Sequence, residues 1–230
     1  MIVTLDFACF RINDDFEPEV LLRKRTNSKE PAYGESGLIG GWVWENKWTD
    51  DGESDENTDD SISRILRQKV GVTPKFIKNV GYAGSRSRDS RGWSITLIHY
   101  CLLSMSDSNS IADSEDFKWV SVRDVLDETI ILPFDHNELV ERAWREFVNM
   151  SSYSTVGLQL LPEAFIISQV VQLFAKLGIK TSKQTVMSRM VNEGVIVETD
   201  KKVEQKGAGR RSTAYTLASS NVIFYQNTIG

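Results

Sequence analysis

The fold is decided by two stretches, residues 38–43 (LIGGWV) and residues 60–72 (DSISRILRQKVGV), which lie on either side of a polar segment. The first stretch is typical of a strand end followed by a Gly-Gly turn. In the second stretch Ile62, Ile65 and Leu66 are spaced at i, i+3 and i+4, which predicts a helix with a short apolar face. The sequence therefore predicts a strand, a long polar loop and a helix, in that order.

Both ends of this helix carry residues that favour helix termini. Asp59, Asp60 or Ser61 could cap its start, because their side-chain oxygens accept hydrogen bonds from free backbone N–H groups. Gly71 follows the helix, where a glycine readily adopts the left-handed conformation. Residues 44–60 are polar and acidic and lack the spacing of a calcium loop, so we interpret them as a mobile insert.

This frame resembles the Nudix box, the loop-helix-loop with which Nudix hydrolases hold a divalent metal against a pyrophosphate. The box pattern is G-x5-E-x7-R-E-U-x-E-E-x-G-U, where U is a bulky aliphatic residue. The matching positions are Gly41, Arg64, Leu66, Gly71 and Val72. The glutamate positions hold Ile65, Gln68 and Lys69, which do not supply the oxygen ligands that magnesium prefers. We therefore expect no metal, no catalytic residue and no enzymatic activity at this box.

The composition places the chain among ordinary soluble proteins. Its 230 residues could form one large domain or two small ones, and 40% of them are hydrophobic while 26% are charged. No apolar run reaches the roughly 20 residues of a membrane span, and no signal peptide is recognised. We expect a cytoplasmic protein with no membrane partner. Cys9 and Cys101 lie in apolar runs, which predicts buried free thiols rather than a disulfide.

The net charge of −5 is unevenly distributed along the chain. From residue 160 onward there are nine Lys or Arg and five Asp or Glu, which gives +4 and leaves −9 for the rest. A basic C-terminal part behind an acidic body indicates different partners for the two parts.

Residues 84–93 (GSRSRDSRGW) combine side chains that suit a nucleotide. Arginines such as Arg88 and Arg91 can form paired hydrogen bonds with pyrophosphate oxygens. The Asp89 carboxylate can accept hydrogen bonds from ribose hydroxyls, and the Trp93 indole can stack on a base. The alternative is a charged hairpin loop with a packing tryptophan, and composition alone favours that alternative.

Short β-rich runs predict strands at residues 2–10, 19–22, 73–80, 93–103 and 117–120. A helix is predicted after Pro133, with an apolar stripe formed by Leu139, Ala143, Trp144, Phe147 and Val148. His136 lies in its first turn, where a lone histidine is more often a hydrogen-bonded structural group than a catalyst.

The C-terminal part has the element order of a winged helix. One helix ends at Gly178, and a second is predicted over residues 182–193 and ends at Gly194. Two strands, residues 195–199 and 213–217, flank a basic loop. In a winged helix the second helix enters the major groove and the wing contacts backbone phosphates. The serine-rich residues 150–155 and the glycine and proline beyond them mark the boundary. We expect an N-terminal domain at 1–149, a linker at 150–160 and a winged helix at 161–230.

Taken together, the chain resembles NrtR-type regulators, in which a degenerate Nudix domain precedes a C-terminal winged helix. Besides the box, the resemblance is carried by residues 87–93 (SRDSRGW), 133–136 (PFDH), 161–165 (LPEAF) and 209–215 (GRRSTAY). It implies an α+β fold, with a Nudix-type α/β/α sandwich followed by the winged helix.

The resemblance also implies a function. The chain would be a homodimer that binds a pseudo-palindromic operator in double-stranded DNA and represses genes of NAD or sugar metabolism. Its effector would be ADP-ribose or a related metabolite, with no required cofactor. The implied effector contacts are Arg25, Arg88, Asp89, Arg91 and Trp93. The implied DNA contacts are Lys183, Gln184, Thr185, Ser188 and Arg189 on the second helix and Lys206, Arg210 and Arg211 on the wing.

The chain departs from the family pattern at several places. The second helix reads VMSR at residues 186–189 where relatives often carry several arginines, and Arg211 replaces a usual proline. Two alternatives remain open. The first is a pyrophosphohydrolase acting on ADP-ribose-like substrates with metal held by carboxylates outside the box. The second is a protein-binding adaptor, against which the basic residues of helix and wing argue.

Overall fold

The computed structural model describes residues 1–44, 55–111, 113–204, 211–225 and 229. The N-terminal part is built on one mixed sheet. Its strands are β1 (Ile2–Ile12), β2 (Pro18–Lys24), β3 (Ser36–Gly37), β4 (Ile39–Trp42), β5 (Phe76–Ser85), β6 (Ser94–Leu102) and β7 (Phe117–Ser121).

Strand β1 is the centre of the sheet. It pairs in parallel with β6, from Ile2 opposite Ser94 to Phe10 opposite Leu102. It also pairs antiparallel with β2 at one end and with β4 at the other. Gly40 and Gly41 lie inside β4, opposite Asp6 and Leu5, so the predicted Gly-Gly turn was wrong. Its residues from Thr4 to Phe10 are all buried, as expected for a strand covered on both faces.

Helices cover both faces of this sheet. They are α1 (Thr58–Lys69), α2 (Met105–Ser108), α3 (Val122–Leu126) and α4 (His136–Tyr153). On one face α1 buries Ile65 and Leu66 in a cluster with Leu5 and Phe7 of β1. On the other face α4 packs against the alternate β1 side chains, such as Phe10. The predicted α/β/α sandwich is confirmed.

The cap of α1 lies earlier than predicted. Asn57 Oδ1 accepts hydrogen bonds from the backbone N–H groups of Asp59 at 2.8 Å and Asp60 at 3.1 Å. Asp60 in turn accepts from the Asn57 N–H at 3.2 Å, which completes a capping box. The prediction of Asp59, Asp60 or Ser61 as the cap was therefore wrong, although Asp60 has the reciprocal role. Gly71 has φ +79° and ends the helix as predicted.

The C-terminal part contains α5 (Ile167–Lys176), α6 (Lys183–Val186), β8 (Ile196–Glu204) and β9 (Arg211–Leu217). This order confirms the predicted helix, helix and β-hairpin. The second helix does not continue as an α-helix, because residues Met187–Val191 form a π-helical turn. Within it the Asn192 N–H donates to the Met187 carbonyl at 3.0 Å, across five residues.

Residues 150–160, predicted as a linker, are mostly helical and mostly buried. Helix α4 continues to Tyr153, and a 3-10 helix follows at Thr155–Leu160. Leu158 and its apolar neighbours belong to the cluster that contains Phe147 of α4 and Phe174 of α5. The N-terminal and C-terminal parts therefore share one hydrophobic core, and the placement of a domain boundary here stays a prediction.

Cys9 and Cys101 are buried free thiols, as predicted. They lie opposite each other in the β1–β6 register. Burial raises the pKa of the Cys101 thiol, with a smaller contribution from Cys9. Among the described helices, none combines the length and apolar character that a membrane span requires.

Candidate functional site

A cavity of about 210 Å³ opens beside β1 and β4, between α1 and the loop that joins β5 to β6. Four of the five predicted effector contacts line it. They are Arg25, Arg88, Asp89 and Arg91. Asp6 of β1 and Lys69 of α1 line the same cavity.

Arg88 is the most buried cation of the loop. Its Nε and one terminal nitrogen each donate to an Asp135 carboxylate oxygen at 2.9 Å. That nitrogen also lies 3.3 Å from Asp6 Oδ2. Burial alone would lower the pKa of Arg88, but the hydrogen bonds and charges of Asp135 and Asp6 raise it. Arg88 is therefore a fixed positive charge at the wall of the cavity.

Arg91 and Asp89 form a second ion pair in the same loop. Arg91 Nε donates to Asp89 Oδ1 at 3.0 Å, and a terminal nitrogen donates to Oδ2 at 2.7 Å. The hydrogen bond from Arg91 lowers the pKa of Asp89. The Arg91 guanidinium also lies 4.8 Å from the centroid of the Trp42 ring. The pair brings a guanidinium, a carboxylate and an indole together at one wall.

Arg25 belongs to the loop after β2. It donates to the Pro31 carbonyl at 2.8 Å and pairs with Glu30 at 3.1 Å. Its guanidinium lies 5.1 Å from the centroid of the Phe134 ring. These contacts fix its charge at the cavity that Arg88 also lines.

Trp93 lies outside the cavity lining, just before β6, with 45% of its surface exposed. The indoles that line the cavity belong to Trp42 and Trp44, which were not among the predicted contacts. The sequence signal for Trp42 is its position directly after Gly40 and Gly41, since all three residues lie in β4. A role of Trp93 in effector binding stays a prediction.

The N-terminal end of α1 is fixed by a buried ion pair. Arg64 Nε donates to Asp55 Oδ1 at 2.8 Å, a terminal nitrogen lies 2.6 Å from Oδ2, and the guanidinium lies 3.9 Å from the Trp44 ring centroid. The hydrogen bond from Arg64 lowers the pKa of Asp55 to about 2. Asp55 and Trp44 are also joined by two hydrogen bonds, of 2.9 Å from the Asp55 N–H and 2.8 Å to its carboxylate. Part of the stretch interpreted as a mobile insert therefore has a structural role, while residues 45–54 lie outside the described residues.

The box positions that would hold glutamates do not fit a divalent metal. Ile65 is fully buried, and a Cβ atom placed on Gly41 would come within 2.8 Å of its side chain. Gln68 and Lys69 line the cavity, and Lys69 Nζ donates a hydrogen bond to the Gly40 carbonyl. Burial, and next the charge of Arg23, lowers the pKa of Lys69. In the part of the chain that the structure describes, no group of three or more His, Cys, Asp or Glu could hold a metal ion.

His136 has the structural role that the sequence analysis favoured. It is buried, and its Nδ1 accepts a hydrogen bond from the Leu38 N–H at 3.0 Å. Burial lowers the pKa of His136. The neutral ring thereby fixes the start of β4, the strand that carries Gly40 and Gly41.

The second candidate surface is on the winged helix. Lys183, Gln184 and Ser188 are exposed, whereas Thr185 and Arg189 are partly exposed. Ser182 caps α6 by accepting from the Thr185 N–H at 3.1 Å. Of the predicted wing contacts, Lys206 and Arg210 lie outside the described residues, and Arg211 is the first residue of β9.

The chain is similar to known proteins in both of its parts. Residues 153–228 match the family described as the AraR C-terminal winged HTH domain. The chain is 30% identical over 212 residues to the ADPR responsive transcriptional repressor NtrR of Acinetobacter baylyi, covering 91% of this chain and 79% of that protein.

Two solved structures of Shewanella oneidensis NrtR are also similar. One, complexed with a 27mer DNA, has a TM-score of 0.81 and 27% identity over 99% of each chain. The other is its NUDIX domain complexed with ADP ribose, with a TM-score of 0.50 and 33% identity over 64% of this chain and 88% of that one. The chain belongs to the NrtR-type family of transcriptional regulators, in which a Nudix fold precedes a C-terminal winged helix.

Proposed function

We propose that the chain is a DNA-binding transcriptional repressor whose effector is ADP-ribose or a closely related nucleotide. The observation that carries this proposal is the cavity, where paired arginines and two indoles surround a box that does not fit a metal. The relatives support it, since one is named an ADPR responsive repressor and two structures of another contain DNA or ADP ribose.

In this proposal the cavity supplies complementary groups for each part of the effector. Arg88 and Arg91 present guanidinium groups that suit pyrophosphate oxygens, and Arg25 faces them from the other side. Asp89 accepts from ribose hydroxyls, and an indole stacks on the adenine. Because none of these contacts needs a metal-bound water, the cavity binds the nucleotide without cleaving it.

The DNA contacts come from α6, its π-helical extension and the wing. We propose Lys183, Gln184, Thr185, Ser188 and Arg189 on the helix, with Lys206, Arg210 and Arg211 on the wing. Two copies in a homodimer would place two such helices in successive major grooves of a pseudo-palindromic operator. The regulated genes would belong to NAD or sugar metabolism.

The test is fluorescence anisotropy of labelled DNA from upstream of the chain's own operon, titrated with protein and then with ADP-ribose. We expect binding that resists competitor DNA and is changed by ADP-ribose. Coupling energies of about 1–3 kcal/mol are typical of such switches, which corresponds to a shift of about 5- to 150-fold in affinity. At stoichiometric concentrations, two chains should bind each duplex. Absence of specific DNA binding with and without ligand would overturn the proposal.

A parallel assay addresses hydrolysis. Incubation with ADP-ribose and magnesium should release no AMP, since Ile65, Gln68 and Lys69 replace the carboxylates of the box. Magnesium-dependent release of AMP would support a pyrophosphohydrolase instead.

A further inference from the structure

We propose that Lys69 takes the place of the divalent metal in effector binding. Its ammonium would bond a phosphate oxygen directly, so that the cavity binds a pyrophosphate without any divalent cation. This inference rests on the proposed function, because it concerns how the same cavity holds its nucleotide.

The first argument is the position of Lys69. It lies in the last turn of α1, at a box position that carries a metal-binding glutamate in the hydrolases, and it lines the cavity. A glutamate there attracts a cation that then bridges to phosphate. A lysine there excludes the cation but supplies a positive charge itself. At this position the hydrolases contact the phosphate through a bound cation, whereas here the lysine would contact it directly.

The second argument is the pairing of the cavity's cations. Each of the arginines that line it already has a carboxylate partner: Arg25 with Glu30, Arg64 with Asp55, Arg88 with Asp135 and Arg91 with Asp89. Within the described ranges, Lys69 has no carboxylate within ion-pair distance. Its partner is the neutral carbonyl of Gly40. A partly buried ammonium without a counter-ion favours the binding of an anion beside it.

The third argument is the donor capacity of the ammonium. Lysine has three N–H donors, and the Gly40 carbonyl uses one of them. This hydrogen bond fixes the ammonium beside β4 and leaves two donors for a ligand. Gln68, the neighbouring replacement, also lines the cavity and carries two further amide donors. Both substitutions therefore remove metal ligands and add donors suited to phosphate oxygens.

The experiment is calorimetric titration of the full chain with ADP-ribose, in one buffer with EDTA and in another with magnesium. The wild-type chain should bind equally well in both. Lys69→Gln should weaken binding about 10- to 100-fold in both buffers, because a hydrogen bond to a charged group contributes about 1.5–3 kcal/mol. Lys118→Gln is the matched control, since Lys118 is exposed on β7 away from the cavity and should bind like the wild type. Circular dichroism verifies that each variant is folded.

The outcomes separate the two proposals. If wild-type binding is tight only with magnesium, or if folded Lys69→Gln binds as the wild type does, the role of Lys69 is overturned while the effector assignment stands. The wild-type comparison of the two buffers does not depend on the folding of any variant. If ADP-ribose binds in neither buffer, the proposed effector itself is wrong, and the inference about Lys69 fails with it.

Discussion

At the scale of single residues, Arg88 joins parts of the chain that are far apart in sequence. Its guanidinium bonds Asp6 on β1 and Asp135 at the start of α4, and its side chain is only 8% exposed. Removing one partner from a buried ion pair leaves the other charge uncompensated. Arg88 therefore stabilises the cavity wall as well as contributing its charge.

Replacing Arg88 with alanine should lower the unfolding free energy by about 3 kcal/mol, because two carboxylates would remain without their partner. Urea denaturation at neutral pH measures this difference. The control is Arg86→Ala in the same loop, where the side chain is exposed and the expected change is within about 0.5 kcal/mol. Equal stability of the Arg88 variant and the wild type would contradict the structural role.

A second residue-scale prediction concerns pH. The folded state lowers the pKa of His136 below the ordinary 6.5, because burial disfavours its charged form. The stability due to the neutral ring is therefore full above pH 6.5 and is lost as the pH falls toward the lowered pKa. His136→Leu should cost about 1–3 kcal/mol at pH 8, since leucine has no acceptor for the buried Leu38 N–H.

That cost should shrink as the pH is lowered to 5. Denaturation of the wild type and the His136 variant at pH 8, 6.5 and 5 tests this. The pKa of His99 is also lowered by burial, but His99 is present in both proteins, so its effect cancels in the difference between their unfolding free energies. A cost that does not change with pH would contradict it.

At the scale of elements, the second helix of the winged helix is part α-helix, at Lys183–Val186, and part π-helix, at Met187–Val191. The turn at Met187–Val191 widens the helix after the first four residues, so Ser188 and Arg189 do not follow the spacing of an α-helix. The sequence could not predict this turn, because Met, Ser, Arg and Val are all compatible with an α-helix. The hydrogen bond that defines it, from Asn192 to Met187, depends on local packing.

Lys183 should contact a DNA phosphate, because it is exposed in the first turn of α6. Lys183→Ala should weaken binding of all sequences to a similar degree. It should also reduce the slope of log affinity against log salt by about 1. Anisotropy titrations at several salt concentrations measure the slope, and Lys118→Ala provides a charge-matched control. An unchanged slope would place Lys183 away from the DNA backbone.

The sequence predicted the longer helices and strands of both parts, since periodic apolar residues and terminal glycines such as Gly71 and Gly178 are local signals. It did not predict β3, the short helices α2 and α3, or the 3-10 helix at Thr155–Leu160. It also found Arg88 and Asp89 but not the partner of Arg88. Asp135 lies 47 residues further along the chain, and its pairing depends on how α4 packs. The contacts of Trp44 and Asp55 were not predicted either, because both residues lie in an acidic stretch whose composition favours a loop. Long-range contacts of this kind carry no local pattern.

At the scale of the whole molecule, the α4 side of the N-terminal part and the winged helix share one core. Leu158 of the 3-10 helix belongs to the same apolar cluster as Phe147 and Phe174, and Lys176 of α5 pairs with Glu17 in the β1–β2 loop. The winged helix is therefore packed against the α4 side of the N-terminal part, whereas Ile65 and Leu66 of α1 belong to a second cluster. By linkage, DNA must alter the affinity for the effector by the same factor as the effector alters that for DNA.

Leu158→Ala should lower the unfolding free energy by about 2–5 kcal/mol, because Leu158 is 1% exposed and its removal leaves a cavity in this core. The transition should remain cooperative in both parts. All six tryptophans lie before residue 150, so their fluorescence reports on the Nudix part. Hydrogen exchange of the α5 amides reports on the winged helix. Coincident transitions by both probes are expected, and separate transitions would contradict the shared core.

The hydrogen bonds between Trp44 and Asp55 also have a consequence for protein engineering. They close the base of the intervening segment, so the positions of Arg64 and the cavity do not depend on how many residues lie between the two. The entropic cost of closing a loop grows slowly with its length. An epitope could therefore replace residues 45–54 while Trp44 and Asp55 keep these hydrogen bonds, which would let an antibody detect or capture the protein without a tag at either terminus.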